Sequence, residues 1–221
     1  MRNVLITGAN KGLGYELARH LMREGNYVYL GCRNIEQGKK ALSDLQKEGL
    51  HNGELLEIDI SNQESVRSAA ELFDNNGNKL DILINNAGIL GKRQNQDEPL
   101  NIDDVREVFE TNFFGTVMIT EAFLPYLRES SLPVTANVTS DLASLTSHKD
   151  PDWILYKAKS ISYGPSKTAL NAYTVALAYE YKDLNFKINC VTPGGRLQNL
   201  MVQWWQDTCR KLSDTGSLRY A

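Results

Sequence analysis

Apolar residues along the chain form short runs that alternate with longer helical patterns. The runs that predict strands are NVLIT (3–7), YVYLG (27–31), ELLEI (54–58), DILIN (81–85), VTANVT (134–139) and FKINCV (186–191). Amphipathic patterns that predict helices begin near Leu13, Ile35, Gln63, Ile102 and Gly164. Strands that alternate with helices are typical of a parallel sheet covered on both faces. The pattern therefore predicts one α/β domain with a doubly wound parallel sheet of about six strands.

Length, composition and charge fit one ordinary globular domain. The chain has 221 residues, a net charge of -3 and a pI near 5.7, so nothing in its overall charge favours nucleic acid or an anionic membrane as a partner. No apolar run is long enough for a signal-peptide core or a membrane span. Three cysteines, an odd number without metal-like spacing, are expected to be free thiols. We expect a cytoplasmic protein with no metal site.

The first predicted strand runs directly into a glycine-rich loop, TGANKGLG, and then into an amphipathic helix. Gly8, Gly12 and Gly14 give the spacing of a dinucleotide-binding turn, in which glycines permit a tight turn and a close approach to a pyrophosphate. The helix that follows offers free N–H groups to an anion. Strand, loop and helix together predict a Rossmann-type cofactor site over residues 8–14, including Asn10, Lys11 and Leu13.

The end of the second predicted strand indicates which nicotinamide dinucleotide binds. An acidic residue there would bind the adenosine ribose, whereas a basic residue accommodates a 2'-phosphate. The sequence YLGCRN has Arg33 and no acid at this position, and Lys11 lies in the glycine loop. Either cation alone is also compatible with an ordinary surface residue. Together they favour NADP(H) over NAD(H).

Two further polar segments follow predicted strands at the same edge of the sheet. Asp59 and Ile60 come after the third strand, and Asn86, Ala87 and Gly88 belong to the sequence NNAG after the fourth. Ligands of open parallel sheets bind beyond the carboxyl ends of the strands, so these residues are candidates for cofactor contact. Taken singly, Asp59 also suits a turn or helix cap, and NNAG suits a turn.

The sequence SYGPSK places Tyr163 four residues before Lys167 at the start of a predicted helix. Residues i and i+4 share a helix face, so the phenol and the ammonium can approach each other. In isolation such a pair is more typical of an exposed helix surface. The surrounding motifs favour a functional interpretation instead.

These motifs, in this order, resemble the short-chain dehydrogenase/reductase family of the classical type, and TGANKGLG and TNFFGT resemble its carbonyl-reductase branch. The resemblance covers Asn3 to about Gly194 and includes Asn112 in TNFFGT, Ser140 in NVTS, and NCVTPG. It implies that Tyr163 is the general acid or base, and that Lys167 lowers the tyrosine pKa and holds the nicotinamide ribose. It also implies that Ser140 polarises the substrate oxygen, that Asn112 holds a water, and that Pro193 and Gly194 contact the cofactor.

The chain departs from the family pattern in two places. Ser140 and Tyr163 are 23 positions apart, a long interval whose residues Trp153, Leu155 and Tyr156 either wall a pocket or form a surface excursion. After Gly194 only 27 residues follow, and Gln198 stands where a threonine is expected. We therefore expect residues 1–194 to form the dinucleotide-binding and catalytic domain. Residues 195–221 are expected to be an atypical, loosely held tail of the same domain.

Two hypotheses about function follow. The first is an NADP(H)-dependent oxidoreductase that transfers a hydride between the nicotinamide and a small ketone, aldehyde or secondary alcohol. The alternative is a non-catalytic nucleotide-binding regulatory protein, or an inactive truncated form, on the same fold. All four catalytic positions favour the enzyme, whereas the short carboxyl-terminal region favours the alternative. The sequence leaves open whether the protein is a monomer or a homo-oligomer.

Overall fold

A computed structural model describes residues 1–75, 79–92 and 99–193. In this part of the chain six parallel strands form one sheet in the order β3-β2-β1-β4-β5-β6. The strands are β1 (Asn3–Thr7), β2 (Tyr27–Cys32), β3 (Gly53–Glu57), β4 (Ile82–Asn85), β5 (Val134–Val138) and β6 (Lys187–Val191). The predicted doubly wound sheet is confirmed, and every predicted strand is present to within one residue at each end.

The helices are α1 (Gly12–Arg23), α2 (Ile35–Lys47), α3 (Gln63–Asn75), α4 (Ile102–Phe109), α5 (Gly115–Arg128) and α6 (Tyr163–Glu180). Five of them begin within one residue of a predicted start, whereas α5 was not predicted as a separate helix. A π-helical segment, Glu110–Phe114, joins α4 to α5. Three short 3-10 turns lie between β5 and α6. No helix in the described ranges is both long and apolar enough to cross a bilayer.

The sheet separates two hydrophobic cores, because successive side chains of each strand point to opposite faces. Val4 and Ile6 of β1 pack in a cluster with residues of α1 and α2. Leu5, between them, packs with Phe73 of α3 and Phe123 of α5. All three strand residues have no exposed surface. Burial on both faces explains why the central strands appear in the sequence as nearly continuous apolar runs.

Polar side chains at the carboxyl-terminal half of the sheet join the strands to the helices. Asn85, the last residue of β4, donates hydrogen bonds to Thr120 Oγ1 (2.9 Å) and Asn137 Oδ1 (2.8 Å). Asn137 of β5 in turn donates to Thr174 Oγ1 of α6 (2.9 Å). All four side chains are buried. Because buried polar groups are costly unless paired, these bonds fix the position of α5 and α6 against β4 and β5.

The strand order places a crevice at the carboxyl end of β1. From β1 the chain proceeds outward in one direction through β2 and β3, and in the other direction through β4, β5 and β6. The loops that follow β1 and β4 therefore diverge to opposite faces of the sheet. A divergence of this kind is where open α/β sheets bind ligands.

Gly115→Ala provides a test of how tightly α5 packs on this edge. Alanine normally stabilises a helix by about 1 kcal/mol relative to glycine. Here the added Cβ would lie 2.7 Å from the carbonyl oxygen of Ile60, a backbone atom that cannot rotate away. We expect a net loss of roughly 1 to 3 kcal/mol in the free energy of unfolding, measured by urea denaturation. Ser68→Ala, on the exposed face of α3, is the control and is expected to change stability by less than about 0.5 kcal/mol. Equal stability of Gly115→Ala and wild type would show that the Ile60 segment yields to α5.

Candidate active site

A cavity of about 540 Å³ opens at the carboxyl ends of β1, β2, β3 and β4. It combines residues from the glycine loop, from the ends of the next three strands and from the segment before α5. The residues that line it are Gly8, Asn10, Lys11, Gly12, Cys32, Arg33, Asn34, Gln37, Ile58, Asp59, Ile60, Asn86, Ala87, Gly88, Ile89 and Thr111. Most of the residues proposed from the sequence for cofactor binding therefore lie around one cavity.

The glycine loop and the start of α1 form one end of this cavity. Gly8 and Gly12 have positive φ angles of 68° and 58°, which L side chains adopt only with strain. The helix α1 begins at Gly12, and Lys11 at its N-cap makes no side-chain capping bond. No acidic residue occupies the first turn of α1. Uncapped N–H groups and the positive end of the helix dipole suit an anion at this position.

Gly14 has a different role, because it permits the contact between the glycine loop and the loop after β4. A Cβ at Gly14 would lie 2.5 Å from the carbonyl oxygen of Gly8 and 2.5 Å from Asn86 Nδ2. The amide of Asn86 itself donates to the carbonyl oxygens of Thr7 (2.9 Å) and Gly8 (3.3 Å). Asn86 thus holds the loop in place in addition to lining the cavity.

The end of β2 supplies the charged side of the cavity. Arg33 directly follows β2, and within the part of the chain that the structure describes neither Arg33 nor Lys11 takes part in an ion pair. The side chain of Asn34 accepts a hydrogen bond from the backbone N–H of Gln37 (2.9 Å) and so caps α2. Gln37 Oε1 accepts a hydrogen bond from Asn10 Nδ2 (2.7 Å), which links α2 to the glycine loop. Two cations and three neutral polar side chains therefore border this end.

Asp59 is both a turn residue and a cavity residue. Its Oδ1 accepts hydrogen bonds from the backbone N–H (3.0 Å) and the hydroxyl (2.7 Å) of Ser61. The turn directs the chain from β3 into α3 while Asp59 and Ile60 remain at the wall of the cavity. The two interpretations of this segment are compatible.

Tyr163 is the first residue of α6, and Lys167 lies one turn further along the same helix, as the spacing predicts. Lys167 is only 3% exposed, and its ammonium donates a hydrogen bond to the carbonyl oxygen of Val138 at the end of β5 (2.8 Å). The distance from Lys167 Nζ to the centre of the Tyr163 ring is 5.9 Å. Ser140 is close enough to the Tyr163 phenol to favour its ionised form. Three of the four side chains that the family resemblance assigns to catalysis are therefore close together.

Burial shifts the pKa values of Lys167 and Tyr163. It lowers the pKa of Lys167 to about 8, because the ammonium loses its hydration and gains only a carbonyl. Burial also raises the pKa of Tyr163, and the nearby Ser140 side chain opposes this effect without cancelling it. The net shift of the Tyr163 pKa is therefore opposite to the lowering that the family resemblance implies. Desolvation of the phenolate outweighs the favourable interactions.

Asn112 is fully buried in the π-helical segment, and its side chain fastens the loop after β4. Its Oδ1 accepts from the backbone N–H of Ile89 (2.8 Å), while Nδ2 donates to the carbonyl of Ile89 (2.9 Å) and to Ser166 Oγ (3.1 Å). Both amide hydrogens thus have protein partners. The structure gives Asn112 a positioning role, and the water that it is expected to hold stays a prediction.

Gly88 connects the cofactor cavity with the catalytic side chains. A Cβ added to Gly88 would lie 3.1 Å from Asn112 Oδ1 and 3.4 Å from Lys167 Nζ. Gly88 also lines the cavity. The cavity wall and the buried lysine therefore meet at this residue, and no larger side chain fits between them without displacement.

Some predicted residues lie elsewhere, and several cavity residues were not predicted. Of the residues predicted to bind the cofactor, Leu13, Gly14, Tyr163, Lys167 and Pro193 do not line the cavity. Gly194 lies outside the described residues, as does the whole tail 195–221 with Gln198. Sequence reasoning missed six cavity residues: Cys32, Asn34, Gln37, Ile58, Ile89 and Thr111. Each of them lies next to a predicted motif or one helical turn from Arg33. Closeness in sequence to the predicted residues could therefore have identified them. Among the described residues there is no group of three or more metal-ligating side chains.

The long interval between Ser140 and Tyr163 forms a compact segment of 3-10 turns. The rings of Trp153 and His148 are 5.3 Å apart, and the Lys159 ammonium lies 3.5 Å from the centre of the Tyr156 ring. Trp153, Leu155 and Tyr156 are half-buried, whereas Ile154 is exposed. The segment therefore packs largely on itself, directly beside Ser140.

Comparisons with known proteins agree with this geometry. The family model for short chain dehydrogenase matches residues 2–208. Short-chain dehydrogenase/reductase 1 of Saponaria officinalis is 31% identical over 87% of this chain and 81% of its own. The (+)-neomenthol dehydrogenase of Capsicum annuum is 30% identical over 87% of this chain and 83% of its own. The crystal structure of a short chain dehydrogenase from Shigella flexneri 2a str. 301 complexed with NADP superposes with a TM-score of 0.76 and 28% identity, covering 88% of this chain and 77% of that one.

The buried lysine generates a prediction about stability and pH. The pKa of Lys167 in the folded protein, about 8, lies below the value of 10.5 for an exposed lysine, so the unfolded chain binds more protons between these two pH values. The free energy of unfolding should therefore rise with pH over this window. Lys167→Met keeps the length of the side chain and removes the proton.

Between pH 8 and pH 10.5, we expect the free energy of unfolding of wild type to rise by roughly 3 kcal/mol relative to that of Lys167→Met. Urea denaturation across this range measures the difference. Lys39→Met, at an exposed position of α2, is the matched control and should give a curve parallel to wild type. A Lys167→Met curve that also runs parallel to wild type would exclude a desolvated lysine.

Proposed function

Because the chain belongs to the short-chain dehydrogenase family, we propose that it is an NADP(H)-dependent oxidoreductase. Its reaction transfers a hydride between the nicotinamide and a ketone, aldehyde or secondary alcohol. The observation that carries this proposal is the position of Lys167 beside Gly88 of the cavity wall, with the Tyr163 ring centre 5.9 Å from the lysine ammonium and Ser140 near the phenol. Proton-transferring groups next to a dinucleotide-sized cavity suit carbonyl reduction and its reverse.

The described residues fit a dinucleotide. The uncapped start of α1 and the glycine loop suit the pyrophosphate, and the cavity extends from there toward Arg33. When bound, the nicotinamide supplies or accepts the hydride. The role of Lys167 in holding the nicotinamide ribose is supported by its closeness to the cavity wall, since a Cβ added to Gly88 would lie 3.4 Å from the ammonium.

Proton transfer is assigned to Tyr163. In the direction of reduction, the phenol donates its proton to the substrate oxygen as the carbonyl carbon gains the hydride, and the product is the alcohol. In the direction of oxidation, the same oxygen accepts the alcohol proton. Ser140 hydrogen-bonds the substrate oxygen and stabilises the charge that develops on it. The raised pKa of Tyr163 keeps the phenol protonated before cofactor binding, as reduction requires.

The preference for NADP(H) is supported by charge. Lys11 and Arg33 both line the cavity, and neither forms an ion pair with another described residue. The 2'-phosphate of NADP(H) would provide the anion that these cations lack. The Shigella flexneri relative is complexed with NADP. The relative named (+)-neomenthol dehydrogenase supports a small alcohol or ketone as substrate.

Three broader proposals accompany the activity. Residues 1–194 form the dinucleotide-binding and catalytic domain, and the family match to residue 208 supports a tail that belongs to the same domain. The chain resembles the carbonyl-reductase branch through TGANKGLG and TNFFGT. A cytoplasmic location is supported by Cys32 and Cys190, which are free thiols in the structure.

Tyr163→Phe tests the catalytic assignment. The variant loses the transferable proton and keeps the ring, so we expect NADPH to bind as in wild type while kcat falls by roughly 10²- to 10⁴-fold. Oxidation of NADPH followed at 340 nm with a panel of ketones and aldehydes measures turnover, and fluorescence titration measures cofactor affinity. Tyr179→Phe, exposed on the same helix, is the control and should retain full activity.

Two results would contradict the catalytic proposal. Substantial turnover by Tyr163→Phe would assign the proton to another group. NADPH binding by wild type without turnover on any carbonyl or alcohol would favour a nucleotide-binding regulatory protein.

Arg33→Ala tests the cofactor preference. Removing the guanidinium forfeits a charge-assisted bond to the 2'-phosphate, so NADPH affinity should fall roughly 10- to 150-fold. NADH has no 2'-phosphate, and its affinity should stay unchanged. Arg67→Ala, on the surface of α3, is the control for loss of an arginine elsewhere. Equal loss of affinity for both dinucleotides, or no loss for either, would refute the preference.

A further inference from the structure

A chain of hydrogen bonds runs from the imidazole of His148 to the hydroxyl of Ser140. His148 Nε2 lies 2.9 Å from the carbonyl oxygen of Leu142. Because a carbonyl only accepts, Nε2 carries the proton of this bond. The backbone N–H of Leu142 in turn donates to Ser140 Oγ (3.1 Å). The backbone of one residue, Leu142, thus contacts both side chains.

The backbone around Leu142 is also fitted against the start of α6. A Cβ on Gly164, the residue after Tyr163, would lie 3.0 Å from the Leu142 carbonyl oxygen. Thr168 Oγ1 of α6 donates a hydrogen bond to the next carbonyl oxygen, that of Ala143 (3.1 Å). The turn that carries the proposed substrate-binding serine is therefore clamped to the helix that carries the proposed acid. The bond from His148 fixes the one carbonyl that directly faces Gly164.

The bond from Leu142 decides what the Ser140 hydroxyl can do. One lone pair of Ser140 Oγ is occupied by the Leu142 N–H, so the hydroxyl proton is left for another acceptor. The nearby Tyr163 phenol is one candidate for it, because the Ser140 side chain opposes the rise in the tyrosine pKa that burial causes. A displacement of the Leu142 backbone would therefore alter both the orientation of the Ser140 hydroxyl and the pKa of Tyr163.

His148 is itself held by contacts within the segment. Its ring packs against Trp153 with centroids 5.3 Å apart, and its backbone N–H donates to the carbonyl of Ser144 (3.2 Å). Its own carbonyl accepts a hydrogen bond from the Lys159 ammonium (2.8 Å), which also lies over the Tyr156 ring. The ring is half-buried rather than solvated. The imidazole is thus anchored on both sides while its Nε2 reaches the Leu142 carbonyl.

We propose that His148 is a positioning residue of the active site, which orients Ser140 toward Tyr163 and the substrate through the backbone of Leu142. The inference rests on the proposed oxidoreductase function for its kinetic consequence. Its structural consequence, the state of Tyr163, does not depend on turnover. His148 contacts neither the cavity nor the reacting atoms in this arrangement, so it acts only through Leu142.

Two substitutions separate the hydrogen bond from the packing. His148→Phe retains a ring against Trp153 and loses the donor. His148→Gln retains an N–H donor near the position of Nε2. We expect His148→Phe to lower kcat about tenfold at unchanged NADPH affinity and melting temperature, and His148→Gln to restore kcat to within about threefold of wild type. His51→Phe, at an exposed position, is the control and should leave kcat unchanged.

A readout without turnover completes the test. In protein labelled with ¹³Cζ-tyrosine, the NMR signal of Tyr163 is identified by its absence from Tyr163→Phe, and its titration is followed against pH. We expect it to titrate at higher pH in His148→Phe than in wild type, and at the wild-type pH in His148→Gln. This shift is expected even if no substrate turns over, so failure of the proposed function and failure of this inference are distinguishable.

Two results would overturn the inference. The first is an unchanged Tyr163 titration in His148→Phe. The second is an equal loss of melting temperature, NADPH affinity and kcat in both His148→Phe and His148→Gln, because this would show that the imidazole serves only to pack the segment.

Discussion

The geometry of the site depends on a small set of hydrogen bonds between the ends of β1 and β4. Thr7 Oγ1 accepts hydrogen bonds from the backbone N–H groups of Asn86 and Ala87 (both 3.0 Å), while the Asn86 amide donates back to the carbonyl of Thr7 (2.9 Å). These are the two strands between which the connections diverge. The bonds fix the position of the glycine loop relative to NNAG. The close approach of Gly14 to Asn86 and of Gly88 to Lys167 depends on this relative position.

The burial of Lys167 at this site lowers the stability of the fold. A buried ammonium without a carboxylate destabilises the fold, and among the described residues its hydrogen-bond partner is a neutral carbonyl. A purely structural requirement at this position would be met better by an apolar side chain of similar volume. A functional requirement explains the lysine better, because its positive charge would interact with a bound ligand. Desolvation strengthens such an interaction. Perturbed protonation at a cavity wall is typical of functional sites.

Periodicity alone predicted the sheet, because strands such as β1 and β4 are buried on both faces and leave continuous apolar runs in the sequence. Motifs predicted the glycine loop and the Tyr163–Lys167 pair, since both depend on spacing along one element. Gln37 and Thr111 were missed because their place at the cavity depends on how separate elements pack. The direction of the Tyr163 pKa shift was missed for a related reason: desolvation is a property of the assembled fold, and the sequence shows the neighbouring charge but not the depth of burial.

The two halves of the site are held by different kinds of contact. The cofactor half depends on backbone conformation and on the absence of side chains at Gly8, Gly12 and Gly14, so its constraints are recognisable in the sequence as glycines. The half beside Ser140 is held by side chains of the segment between Ser140 and Tyr163, in which His148 and Lys159 bind backbone carbonyls. Side-chain contacts of this kind can change without disturbing the sheet. The bond from His148 to the Leu142 carbonyl is therefore a constraint on Ser140 that spacing along the sequence does not reveal.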